Sequence, residues 1–257
     1  MPVVFFRRSR TRGIARKDPV QQPLRSLVLL AVVLAVLHSA SPAFARTSDE
    51  GGWIMLYGSG SFAPVREDLS RLLWWFDTQI RMRDDSNGYD QLLIRPGVGL
   101  DLGHGFSAWL GYLYVNEDPS GRSNFDEHRP WQQLLWKGSL ASFGVQSRTR
   151  LEQRFVDGDG EAGWRFREFM KASYTFPSAS RFGLAAYDEV FFDLNDTSEG
   201  ANTGFAQNRF FIGPTMKLGD DGWATLELGY LNQFIRRDGG SDSVNHLVSL
   251  NLLFSLP

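Results

Sequence analysis

Apolar and polar residues alternate along most of this chain with a period of two. Between residues 140 and 155, Arg148, Arg150, Glu152 and Arg154 alternate with Thr149, Leu151, Gln153 and Phe155. A helix would scatter these four charges around its circumference, whereas a strand places them on one face. The same alternation recurs in 72–83, where Trp74, Phe76, Ile80 and Met82 oppose Trp75, Asp77, Gln79, Arg81 and Arg83. It continues through 91–102, 106–115, 125–136, 164–176, 181–193, 205–218, 222–235 and 243–255, with Gly, Pro, Asn and Asp clusters between. Ten strands are predicted, with no helix of ordinary length after residue 71. Residues 51–58, GGWIMLYG, form one further short strand candidate that the pattern leaves unplaced; two additional strands give the alternative count of twelve.

The connections have a rhythm of their own. They run long (84–90), short (103–105), long (116–124), short (137–139), long (156–163), short (177–180), long (194–204), short (219–221) and long (236–242). Outer-membrane barrels have short periplasmic turns and longer external loops, with aromatic girdles at both interfaces. Trp74, Tyr112, Trp136, Trp164, Tyr174, Trp223 and Tyr230 fall near strand ends, as girdle residues do. The predicted fold is therefore all-β: an antiparallel up-and-down transmembrane β-barrel of about ten strands with both ends on the short-turn side. A soluble periplasmic β-sheet protein is the competing architecture. Glu168 and Asp188 fall on the lipid-facing parity, which calls for either an interfacial position or a bulge that shifts the register.

The inward parity collects Arg81, Arg83, Arg95, Glu127, Arg129, Gln133, Arg148, Arg150, Glu152, Arg154, Arg165, Arg167, Glu189, Arg209, Glu227 and Gln233, together with Asp77 and Gln79. Arginine dominates, and the interspersed glutamates accept its bidentate hydrogen bonds. A barrel of eight strands is nearly filled by its own side chains and ten leave little more room, which favours a structural ion-pair core. The alternative is an anion-selective constriction built from arginine rings.

Residues 1–45 change the picture by placing the chain outside the cytoplasm. Arg7, Arg8, Arg10, Arg12, Arg16, Lys17 and Arg25 precede an apolar run over 27–37, and Ala43-Phe44-Ala45 supplies a small-x-small cleavage site. This reads as a cleaved signal peptide, excluded from the fold, and directs the remainder to the outer membrane of a Gram-negative bacterium. Residues 46–71 then form an N-terminal segment with one short strand, and 72–257 the barrel domain. Taking seven basic residues and Asp18 away from 27 Lys+Arg and 29 Asp+Glu leaves 20 against 28, a net charge of −8. That balance disfavours nucleic acid as a partner. Outer-membrane lipid and small anionic solutes are the partners expected; oligomeric state is left open. With no cysteine, stability must come from packing and closed hydrogen bonding rather than disulfides.

Catalytic patterns are weak. His104 lies in a predicted turn, His128 follows Glu127, and His246 has Ser243 and Ser249 nearby in sequence. None of these spacings makes a triad, which is defined by geometry. An outer-membrane lipid-modifying enzyme using His128 or His246 is the less favoured alternative. Asp157, Asp159 and Glu161 sit in a glycine-containing loop without full calcium-loop spacing, so no metal or cofactor is assigned.

The order of several short motifs carries a resemblance. The Arg81 and Arg83 strand, Arg95-Pro96-Gly97, Gly111-Tyr112, residues 127–133 (EHRPWQQ), Leu151-Glu152-Gln153-Arg154, Arg165-Phe166-Arg167, Asn208-Arg209 and Gly229-Tyr230-Leu231 together resemble the bacterial domain-of-unknown-function family 2490 over roughly 53–254. The resemblance implies an outer-membrane β-barrel-like fold and transfers no catalytic residues.

Overall fold

A computed structural model of the protein describes residues 46–83, 88–118, 123–158, 160–198, 201–219, 222–237 and 240–256; the predicted signal segment, 1–45, lies outside them. Eleven strands form one closed barrel: β1 (Arg46–Ser61), β2 (Leu72–Arg83), β3 (Gly88–Gly103), β4 (Phe106–Glu117), β5 (Phe125–Leu140), β6 (Phe143–Val156), β7 (Gly163–Thr175), β8 (Phe182–Asp193), β9 (Gly204–Leu218), β10 (Ala224–Ile235) and β11 (Asp242–Ser255). Among the described residues the helical content is a single 3₁₀ turn, Glu67–Leu69, in the β1–β2 connection.

The expected counts of ten and twelve are corrected to eleven by β1. Its 16 residues pair antiparallel with β2 and parallel with β11, from Arg46 opposite Asp242 to Ser59 opposite Ser255. A barrel with an odd number of strands cannot be antiparallel throughout, so one seam is parallel; bacterial single-chain outer-membrane barrels characteristically have even numbers. The start of β1 and the end of β11 consequently lie at opposite ends of the barrel, not both on the short-turn side. The central part of β1 obeys the alternation used elsewhere: Ile54 and Leu56 are exposed on the outside, whereas Tyr57 packs against an internal cluster.

The short connections cluster at one end. At β3–β4, Gly103, His104 and Gly105 all have positive φ (83°, 54° and 84°), a left-handed run that its two glycines enter without steric cost. At β5–β6 only residues 141–142 separate the strands, and Ala141 takes the positive φ.

Side chains then partition by parity. Every strand exposes a large apolar residue on its outward face: Ile54, Phe76, Val98, Leu110, Leu134, Phe155, Trp164, Leu184, Ile212, Leu228 and Val248. Aromatic pairs flank this wall. Phe106–Trp136, Phe143–Tyr174 and Trp223–Phe254 lie toward the short-turn end, and Phe192–Phe205 and Phe205–Phe234 toward the long-loop end.

The interior has an apolar portion between β2 and β5, where Trp75, Leu93, Trp109, Leu113, Val115, Trp131 and Leu135 form one cluster. Gly97 and Gly111 make the room: a Cβ on either would collide with the Trp131 ring. A second apolar cluster, Ala185, Phe211, Leu231 and Leu247, packs with Trp53 and Tyr187 on the opposite arc.

Glu168 and Asp188 do face outward, and no register shift occurs at either. Their neighbours satisfy them instead. Ser147 and Thr149 donate to Glu168 at 3.1 and 2.6 Å, and Asn208 Nδ2 donates to Asp188 at 2.9 and 3.0 Å.

Candidate functional site

The alternation that makes β5 to β9 strands also aims their charged residues into one space. At its centre Arg150 and Glu152, next-but-one neighbours on β6, are both 0% exposed. Gln133 on β5 accepts from Arg150 Nε and Nη2 at 2.9 and 2.6 Å, while Arg150 Nη1 stands 3.6 Å from Glu152. Arg167 on β7 bridges two carboxylates, donating to Glu152 at 2.5 Å and to Glu189 on β8 at 2.7 Å. Arg148 also donates to Glu189, at 2.6 Å, and Arg209 approaches it at 4.0 Å. Five strands thus share one ionic slab.

Toward the long-loop end Glu127 is clamped by two guanidinium groups. Arg129 donates to it at 2.6 and 2.5 Å and Arg154 at 2.6 and 3.1 Å, all in the bidentate geometry that suits arginine. Arg165 pairs with Asp193 at 2.6 Å, and Arg83 with Asp90 at 3.0 Å. Arg81 donates to Gln91 and Gln79, and Arg95 to Asp77 at 3.1 Å. Gln233 accepts from Asn245 at 3.1 Å. Gln207, with its amide oxygen turned inward, accepts from Gln233 and Arg209. Glu227 stands apart, nearer the short turns, with Lys171 Nζ at 2.5 Å.

Several members of the network are absent from the set expected from sequence, and aromatic rings are the largest group. Arg150 lies over Trp131 at 4.4 Å, Arg81 and Arg209 over Trp53 at 4.1 and 4.8 Å, and Arg167 and Arg209 over Phe191, each at 4.6 Å. Such cation–π contacts let guanidinium groups leave water against an apolar surface. Glu117, Asp193 and Lys171 also belong to it. All share the inward parity, the signal that would have found them.

Burial decides what the slab does. Leu113, Trp131, Arg150, Glu152, Phe211 and Leu231, contributed by five different strands, each have 1% exposure or less. These positions are shielded from solvent, while the lumen also holds a cavity of about 140 Å³ lined in part by Arg95, Arg148, Arg167, Glu189 and Arg209. Removing one partner from such a buried network costs about 3–5 kcal/mol, although replacing a whole network by apolar residues is often neutral.

Both strand histidines lie on the outer face rather than in the lumen. His128 Nδ1 is hydrogen-bonded to Tyr112 Oη, with Nε2 3.7 Å from Asp157, and His246 Nδ1 lies 2.6 Å from Tyr230 Oη. Asp159 is outside the described residues; among those described, no group of three or more His, Cys, Asp or Glu is placed to hold a metal. In the β8–β9 loop, Asp196 accepts from the Thr203 backbone and hydroxyl, both at 2.7 Å, which holds its carboxyl below the usual carboxylate range.

Comparison with known proteins gives a consistent result. The model of a family described as a protein of unknown function, DUF2490, matches residues 50–245. An uncharacterized protein of Methylorubrum extorquens is 32% identical over 233 residues, spanning 89% of this chain and 98% of the relative. No solved structure matches significantly.

Proposed function

The chain belongs to the DUF2490 family, and we propose that this member is an outer-membrane β-barrel closed by its own interior, a structural wall protein rather than an open pore. The observation that carries the reading is the inversion of polarity across the wall. Each of the eleven strands presents a large apolar residue outward, while most strand arginines and glutamates, Glu168 excepted, point inward and pair. Soluble monomers rarely expose contiguous apolar patches beyond a few hundred Å². A bilayer takes such a surface without cost, and barrel closure satisfies the backbone hydrogen bonds that hydrocarbon cannot. The aromatic pairs at both ends of the wall fit interfacial girdles.

Two measurements test the reading. The protein is expected in the outer-membrane fraction, with electrophoretic mobility that changes on heating, and in planar bilayers it passes no current above the lipid baseline. Recovery in the soluble periplasm overturns the membrane assignment, and a steady conductance overturns the closed interior.

A further inference from the structure

Just inside the short-turn end, the lumen opens into a cavity of about 330 Å³, within the size range of small-ligand sites. Its charge is one-sided. Lys137, Lys171, Arg181 and Lys217 line it, and Glu227 is the one carboxylate among the described lining residues. Glu227 is committed to Lys171 at 2.5 Å, whereas Lys137 and Lys217, both exposed to the cavity and on the inward parity of β5 and β9, make no ion pair among the described residues. Thr215 and Thr225 add hydroxyl groups to the same wall. The ionic slab deeper in the barrel is different, because its arginines are paired with carboxylates.

We propose that this vestibule binds a small multivalent oxyanion, a phosphate or polycarboxylate, held between Lys137 and Lys217 and competing with Glu227 for Lys171. Two ammonium groups on different strands, in a pocket with low-dielectric walls, focus a positive field where the one carboxylate among the described lining residues, Glu227, is already held by Lys171. Lysine suits the role, since its flexible stem lets a point charge follow an oxyanion of any shape. The site depends on the lumen alone, so it holds whether the outer wall faces lipid or water.

The test is calorimetric titration of the folded full chain with inorganic phosphate and with citrate, against chloride at equal ionic strength. Binding of phosphate or citrate but not chloride is expected. The Lys137→Gln/Lys217→Gln double variant loses at least about tenfold in affinity, the effect of removing charge-assisted hydrogen bonds. Glu227→Gln, which frees Lys171, shifts affinity the opposite way. Should a variant fail to fold, acetylation of the unmodified protein replaces it: phosphate slows modification of Lys137 and Lys217, and chloride at equal ionic strength does not. Absence of binding at millimolar anion, unchanged affinity in the double variant, or acetylation indifferent to phosphate each overturns the proposal.

Discussion

The lumen between β2 and β5 and the lumen between β6 and β9 occupy equivalent places in one barrel, yet they are filled by different chemistry. In the first, Trp75, Trp109 and Trp131 interlock edge to face, with ring centroids 5.5 and 6.1 Å apart, over glycines that leave space for them. In the second, Arg148, Arg167, Glu152 and Glu189 are cross-linked by hydrogen bonds of 2.5–2.7 Å. Arg150 joins the two, stacked on Trp131 and bonded to Gln133. Interior volume is thus taken up by bulk on one side and by paired charge on the other. The two sides should therefore fail in different ways.

The largest effect is expected in the ionic half. Glu152→Leu leaves Arg150 and Arg167 buried without their shared carboxylate and destabilises the barrel by about 3–5 kcal/mol. Replacing all three together, Arg150→Met/Glu152→Leu/Arg167→Met, returns stability to near that of the unsubstituted protein, because no charge is then stranded. Urea unfolding of the reconstituted barrel measures both; a triple variant as unstable as the single would mean that the ion pairs themselves hold the fold.

In the apolar half the failure is steric. Gly111→Val drives a side chain into the Trp131 ring and costs about 1–3 kcal/mol, read by the same unfolding and by a change in tryptophan emission. Equal stability with unchanged emission would show that Trp131 is not confined there. The smallest effect lies outside both halves: Arg66→Ala removes an exposed pair with Asp68 and shifts stability by no more than about 1 kcal/mol.

The same contrast explains how much was legible before the structure. Strands marked by inward charge, such as β6 with Arg148, Arg150, Glu152 and Arg154, announce both their period and their inner face. In β4 both faces are apolar, with Leu110 and Tyr112 outside and Trp109 and Leu113 inside, so alternation of charge says nothing about what fills that side. The eleventh strand was obscured for two reasons. The Arg46–Glu50 stretch is polar and leads into Gly51-Gly52, which breaks the visible pattern, and β1 is completed by β11 nearly 200 positions away in sequence. No local signal encodes a pairing between the ends of the barrel. Glu168 and Asp188 looked like violations because alternation records where a side chain points, not whether Ser147, Thr149 or Asn208 stands beside it. The lone lysines of the vestibule escaped for a related reason, since Lys137 and Lys217 lie in or beside stretches that read as turns.

In the proposed function the outer wall faces hydrocarbon while the charges face inward. The absence of cysteine allows single labels to test it. Leu110→Cys and Val248→Cys, at positions 61% and 62% exposed on opposite sides of the parallel seam, are each labelled with an environment-sensitive fluorophore in the reconstituted protein. The account predicts strong quenching by lipids brominated on their acyl chains and little quenching by aqueous iodide. Labels at both positions quenched by iodide and indifferent to brominated lipid would contradict it.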